Sequence, residues 1–182
     1  MRGFTRETES TIHSARRSEA APTPARPTYG RLSRMSTLFT KIIDGEIPGR
    51  FLWADDRAVA FLTIGPIRPG HALVVPRQEV DHWLDADDDL LAHLTQVAKR
   101  IGSAQQAAFA PPRIGLMVAG FEVPHLHVHV WPVHDLGDFS FERVEQDPDP
   151  ARLDADAAAI REALVTQGDG AHVPPDVSSA AR

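Results

Sequence analysis

Cysteine is absent from this 182-residue chain. That excludes a disulfide framework, a thiol nucleophile and every thiolate metal site. No apolar run approaches the roughly 18–20 residues a membrane helix needs, so the expected setting is the cytosol, with no membrane partner. A basic surplus is missing as well. The net charge is −6, and residues 1–34 hold seven arginines against Glu7, Glu9 and Glu19, a net of +4 that leaves −10 for the rest. An acidic body argues against broad nucleic-acid binding, which needs a basic footprint. An anionic substrate would have to be held by local donors, because the general field repels it. No internal repeat is present.

Histidine, by contrast, is plentiful, and three of the nine stand on alternate positions in His125-Leu126-His127-Val128-His129-Val130-Trp131. In a strand the side-chain period is 2, so the three imidazoles share one face while Leu126, Val128 and Val130 take the other. Imidazole titrates nearest neutral pH and serves as nucleophile, general base or metal ligand. One reading is nucleophilic attack on phosphorus, with the flanking histidines donating to phosphate oxygens. A second is a three-histidine zinc arrangement, and a third is an ordinary solvent-facing strand. Spacing alone leaves these open.

Elsewhere the pattern gives an element order. Residues 1–34, rich in Arg, Ser, Thr, Ala and Pro, read as a disordered extension, or as an upstream start assigned in error ahead of Met35. Ser36 or Thr37 caps a short helix through about Asp44. Phe51–Ala54 and Ala58–Leu62 form a hairpin around Asp55-Asp56, and Ala72–Pro76 is a strand. Asp85–Asp89 opens the longest helix, whose Leu90, Leu91, Leu94, Val97, Ala98 and Ile101 repeat at helical spacing until Pro111 and Pro112 stop it. Ile114–Ala119 is another strand, His125–Trp131 the histidine strand, and Asp154–Val165 a C-terminal helix. The order implies an α+β domain on a mostly antiparallel sheet, with room for one parallel pair across the long helix.

The segment Val123-Pro124-His125-Leu126-His127-Val128-His129-Val130 resembles the motif of the histidine triad (HIT) family. Further blocks match upstream in order: Leu38 to Pro48, Ala60-Phe61, and Pro69-Gly70-His71-Ala72-Leu73-Val74-Val75-Pro76. The resemblance covers about residues 36 to 135. It implies a five-stranded antiparallel sheet, usually in a homodimer, that acts on a small-molecule nucleotide through a nucleotidyl-histidine intermediate, with no required metal or cofactor. By position, His127 is the nucleophile, His129 and His71 contact the phosphate, and His125 orients His127 through its backbone carbonyl. Phe39, Ile42, Phe61 and Ile64 line the nucleoside pocket, although plain core packing would account for part of their area.

A histidine at 129, where the branch resembling galactose-1-phosphate uridylyltransferase has glutamine, favours the hydrolase branches that act on nucleoside phosphoramidates or dinucleoside polyphosphates. A decayed, non-catalytic nucleotide-binding protein and a three-histidine metalloprotein are the alternatives. In domain terms, 35–140 is the HIT domain, 141–167 a helical extension and 168–182 a disordered tail.

Several positions depart from the family. Thr63 stands where an aspartate usually grips the ribose, Met117 replaces an asparagine and Phe121 a glutamine. Glu122 occupies a place where serine or threonine often helps the leaving group. Its carboxylate either serves as an acid or base toward a different leaving group or points to solvent. Thr37 and Thr40 replace the Cys pair of a structural zinc site found in some relatives, so that zinc is not expected. His13, His82, His93, His134 and His172 read as surface or tail residues.

Overall fold

The computed structural model describes residues 36–180, so the expectation of an extension over 1–34 lies outside the described residues. The short helix α1 (Leu38–Ile43) is capped by Thr37, whose side chain accepts the Thr40 N–H. This satisfies one of the orphan donors of a helix start. Strands β1 (Phe51–Ala54) and β2 (Ala58–Leu62) form the expected antiparallel hairpin. Asp55 closes it: one carboxylate oxygen accepts the backbone N–H groups of Arg57 and Ala58, each at 2.8 Å. Strand β3 (Ala72–Pro76) follows, then helix α2 (Asp88–Phe109), capped by Asp87. After α2 come β4 (Arg113–Met117), β5 (Val128–Val133) and helix α3 (Pro150–Thr166).

The five strands run in the order β1-β2-β3-β5-β4, and every adjacent pair is antiparallel. No parallel pair forms, because the chain that carries α2 returns to the far side of the site reserved for β5. Alternation divides the sheet. Leu52, Ala60, Val74, Leu126, Val128 and Val130 face α2 and α3, meeting Leu94, Val97, Ile101, Ile160 and Leu164. Phe51, Val59, Phe61, Leu73 and Val75 face the other way, under Phe39 and Ile42 of α1. The histidines belong to this second face. Among the described residues no helix is long and apolar enough to cross a membrane.

Two expectations need correction. The histidine strand begins at Val128, leaving His125 in a bend and His127 in the irregular approach before the ladder. Their backbone is used elsewhere: Leu126 N–H donates to the Val80 carbonyl, and the His125 carbonyl is taken by a side chain. Nor is 168–182 a disordered tail as far as it is described. The Phe51 N–H donates to the Val177 carbonyl at 2.7 Å, Arg77 reaches the Ala180 carbonyl at 3.0 Å, and Ala180 is buried beside the second-face cluster. The cause is β1, an edge strand whose outer polar groups need partners. The segment supplies one, and Arg161 of α3 supplies another through the Phe51 carbonyl.

Candidate active site

Each of the four candidate histidines is held by named groups, and those groups fix its proton. His127 Nδ1 lies 2.7 Å from the His125 carbonyl oxygen. A carbonyl only accepts, so Nδ1 carries the hydrogen and Nε2 keeps its lone pair. His125 is tied at both ends. Its Nε2 donates to the Pro76 carbonyl at 2.8 Å, so its Nδ1 accepts the Thr37 hydroxyl at 2.7 Å. Thr40 in turn donates to Glu79 at 2.5 Å, and the Thr37 N–H reaches the same carboxylate oxygen. The cap of α1 thus also steadies the residue that steadies His127.

The pair His71 and His129 follows the same logic. The Ile67 N–H donates to His71 Nδ1 at 3.1 Å, so the hydrogen of His71 sits on Nε2. That Nε2 lies 3.0 Å from His129 Nδ1 and donates to it, which leaves His129 with its hydrogen on Nε2. Gly70 sets the approach. It has φ of +78°, and a Cβ there would stand 2.4 Å from Phe109. Its N–H donates to Asp156 of α3 and its carbonyl accepts from the buried Gln105 of α2, which also holds the Val130 carbonyl.

The result is one ring with an open Nε2 lone pair beside one whose Nε2 carries a hydrogen. The rings of His127 and His129 are 4.9 Å apart, and both line a cleft of about 230 Å³. His71 and His125 are fully enclosed with both ring nitrogens occupied. His71 therefore has no nitrogen left to touch a phosphate; it positions His129. The three-histidine metal arrangement fails for a related reason, since His125 has no lone pair to share with an ion.

Burial holds all four imidazoles below their ordinary titration range. It pushes His71 down to about 3 and His129 to about 4, each aided by its neighbouring imidazole. Burial also lowers His125 and His127, against the raising effect of the Pro76 and His125 carbonyls respectively. Neutral imidazoles are what attack by one and hydrogen bonding by the other require.

Of the expected nucleoside pocket, Phe39, Ile42 and Phe61 lie together under α1, and the Phe39 ring meets His127 edge-on at 5.0 Å. Thr63 follows β2; its N–H donates to the His71 carbonyl, and its hydroxyl accepts the Gly65 N–H. Ile64 is 79% exposed, and neither it nor Phe39, Ile42, Phe61 or Thr63 lines the cleft that holds His127 and His129. That cleft is walled instead by Ala119, Gly120, Phe121, Glu122 and Phe141. Phe141 escapes sequence reasoning, because it sits in an irregular segment after β5 with no periodicity to mark it. Two surface assignments also change: His93 bonds the buried Asp55 at 2.9 Å, and His172 stacks on Trp53.

Residues 44–136 match the HIT domain family. An uncharacterized HIT-like protein of Saccharolobus solfataricus is 34% identical over 100 residues, which is 52% of this chain and 72% of the relative. Among solved structures, a zinc-bound histidine triad family protein from Mycobacterium smegmatis aligns with a TM-score of 0.64 at 25% identity, over 75% of this chain and 98% of that one. A hypothetical histidine triad nucleotide-binding protein from Sulfolobus tokodaii aligns with a TM-score of 0.60 at 28% identity, over 70% and 91%. With the family pattern spanning half of its length and a relative matched over most of its own, the chain belongs to the histidine triad (HIT) family.

Proposed function

We propose that this protein is a nucleotide-phosphate hydrolase that works through a covalent intermediate on His127. The observation that carries the reading is the His127 hydrogen bond to the His125 carbonyl, which leaves Nε2 as a lone pair at the cleft beside the Nε2–H of His129. Nε2 attacks the α-phosphorus, the bond to the leaving group breaks, and a phosphorus–nitrogen bond forms. Water then attacks the same phosphorus, and the electron pair of that bond returns to Nε2. His129 donates to a phosphate oxygen as charge develops on it. The nucleotide-binding relative supports the substrate class. Phe39, Ile42 and Phe61 form the buried apolar layer behind the site, with the Phe39 ring against His127. Candidate substrates are a nucleoside phosphoramidate, an adenylylated amine or acid, or a dinucleoside polyphosphate.

The same reading places a second copy of the chain against β4. This is an edge strand with Leu116 half exposed, beside a groove between α2 and β4 lined by Gly102, Ile114 and Leu116. An open, apolar edge is a template for another strand. A cytoplasmic setting belongs to this reading too.

The test is a substrate panel of those three types, incubated with the full chain with and without a chelator. Release of nucleoside monophosphate that ignores the chelator and disappears in a folded His127→Ala variant supports the hydrolase. No turnover of any compound favours a binding protein, and chelator-sensitive turnover favours a metalloenzyme.

A further inference from the structure

Resting on the hydrolase reading, we propose that Phe121, Glu122 and Phe141 form a leaving-group subsite that selects substrates whose leaving group carries a positive charge. Three observations point there. First, among the described residues that line the cleft beside His127 and His129 there is no Lys or Arg, and Glu122 is the only ionic side chain. With burial keeping both imidazoles neutral, the cleft bears net negative charge outside the phosphate position. A polyphosphate leaving group would meet a carboxylate that no described lining residue offsets with a positive charge.

Second, Arg68 and Arg143, which hold the segment that carries Phe141, are already committed. Arg68 and Arg143 both bind the fully buried Asp138, at 2.8 Å each. Arg143 also pairs with Asp135. The same Asp138 accepts the His134 N–H, and its carbonyl accepts the Trp131 indole. The arginines therefore brace the loop and are not aimed at a ligand.

Third, that braced loop presents Phe141, whose ring meets His129 edge-on at 5.4 Å while remaining 44% exposed. Phe121, 95% exposed, lines the same cleft. Aromatic faces and a carboxylate around a small cleft attract a cation by ring quadrupole and by charge. Glu122 lines the same cleft as His127, and its charge favours the protonated form of that imidazole against the larger effect of burial.

For a phosphoramidate, the amine is the leaving group. The phosphorus–nitrogen bond to the amine breaks with its electron pair staying on the amine, which takes a proton from solvent. The bond from phosphorus to His127 Nε2 forms. The attacking water later returns one proton to solvent. Glu122 and the two rings hold the charged substituent of the amine and take no part in bond making.

The deciding experiment uses adenosine phosphoramidates of three amines of similar length: diaminopropane (cationic), propylamine (neutral) and β-alanine (anionic). The expected order of kcat/KM is cationic, neutral, anionic, with steps of about tenfold. Glu122→Gln, at an exposed position, should bring the three within about twofold of one another without abolishing turnover. Phe141→Ala should raise KM for the cationic substrate, and Phe141→Tyr should restore it. Equal kcat/KM for all three in the unaltered protein, or the same order surviving in Glu122→Gln, overturns the subsite while leaving the hydrolase intact. No turnover of any of the three overturns the hydrolase reading and the subsite with it.

Discussion

His71 Nε2 stands 3.0 Å from His129 Nδ1, and the direction of that bond is set by a backbone N–H four residues before His71. Because Ile67 donates to the far nitrogen of His71, the imidazole has only one hydrogen to give, and it gives it to His129. The neutral ring of His129 is thereby held with its own hydrogen on Nε2. His71→Phe keeps an apolar ring of similar size but removes both bonds. Turnover should fall by about tenfold to a hundredfold, equivalent to about 1.4–2.8 kcal/mol of transition-state stabilisation. KM should move far less, because His71 touches no substrate. A steady-state comparison checks this; a loss confined to KM would place His71 against the substrate.

Stability should depend on pH through the same rings. In the unfolded chain these histidines titrate near 6.5, whereas burial pushes His71 down to about 3 and His129 to about 4 in the fold. Between those values the unfolded chain binds more protons than the folded one, so stability falls as pH drops. The contribution is fully present above about pH 6.5 and is lost progressively toward the folded values. Urea midpoints measured from pH 7.5 down to 5 should change little above about pH 6.5 and fall progressively below it. The decline should be shallower in His71→Phe, which has one buried imidazole fewer. A midpoint independent of pH over that span would contradict the assignment of neutral, buried rings.

Much of the molecule can be read from residue order, and the limits have a physical source. Helix α2 is visible because Leu90, Leu94, Val97 and Ile101 recur at helical spacing and Asp87 to Asp89 suit a helix start. The hairpin shows in the Asp55-Asp56 turn, and the triad in its period of two. Periodicity reports which face of an element is apolar, but it is blind to bonds between elements. The bonds from Thr37 to His125, Ile67 to His71 and Gln105 to Gly70 join residues whose partners cannot be inferred from local pattern. The polar, proline-containing stretch after Gly168 looks unstructured for the same reason: its partners are the edge of β1 and the side chains of Arg77 and Arg161, all distant in sequence.

That terminal stretch offers its own test. Removing residues 174–182 deletes the carbonyls of Pro174, Val177 and Ala180 that accept from Arg161, Phe51 and Arg77. It also uncovers one side of an edge strand. Losing these bonds at about 1 kcal/mol each should cost roughly 2–4 kcal/mol of stability. Thermal melting should shift down by several degrees, with a greater tendency to aggregate. A shortened chain with an unchanged melting point and solubility would show that the segment contributes nothing to the fold.

In the hydrolase reading His127 takes the nucleotidyl group onto Nε2. A substrate carrying labelled nucleotide, mixed with the full chain and quenched within the first turnover in alkali, should leave acid-labile label on the protein. Peptide mapping should locate that label at His127, and none should remain in His127→Ala despite an unchanged fold. Label on His129, or rapid turnover with no trapped adduct at any quench time, would contradict the mechanism.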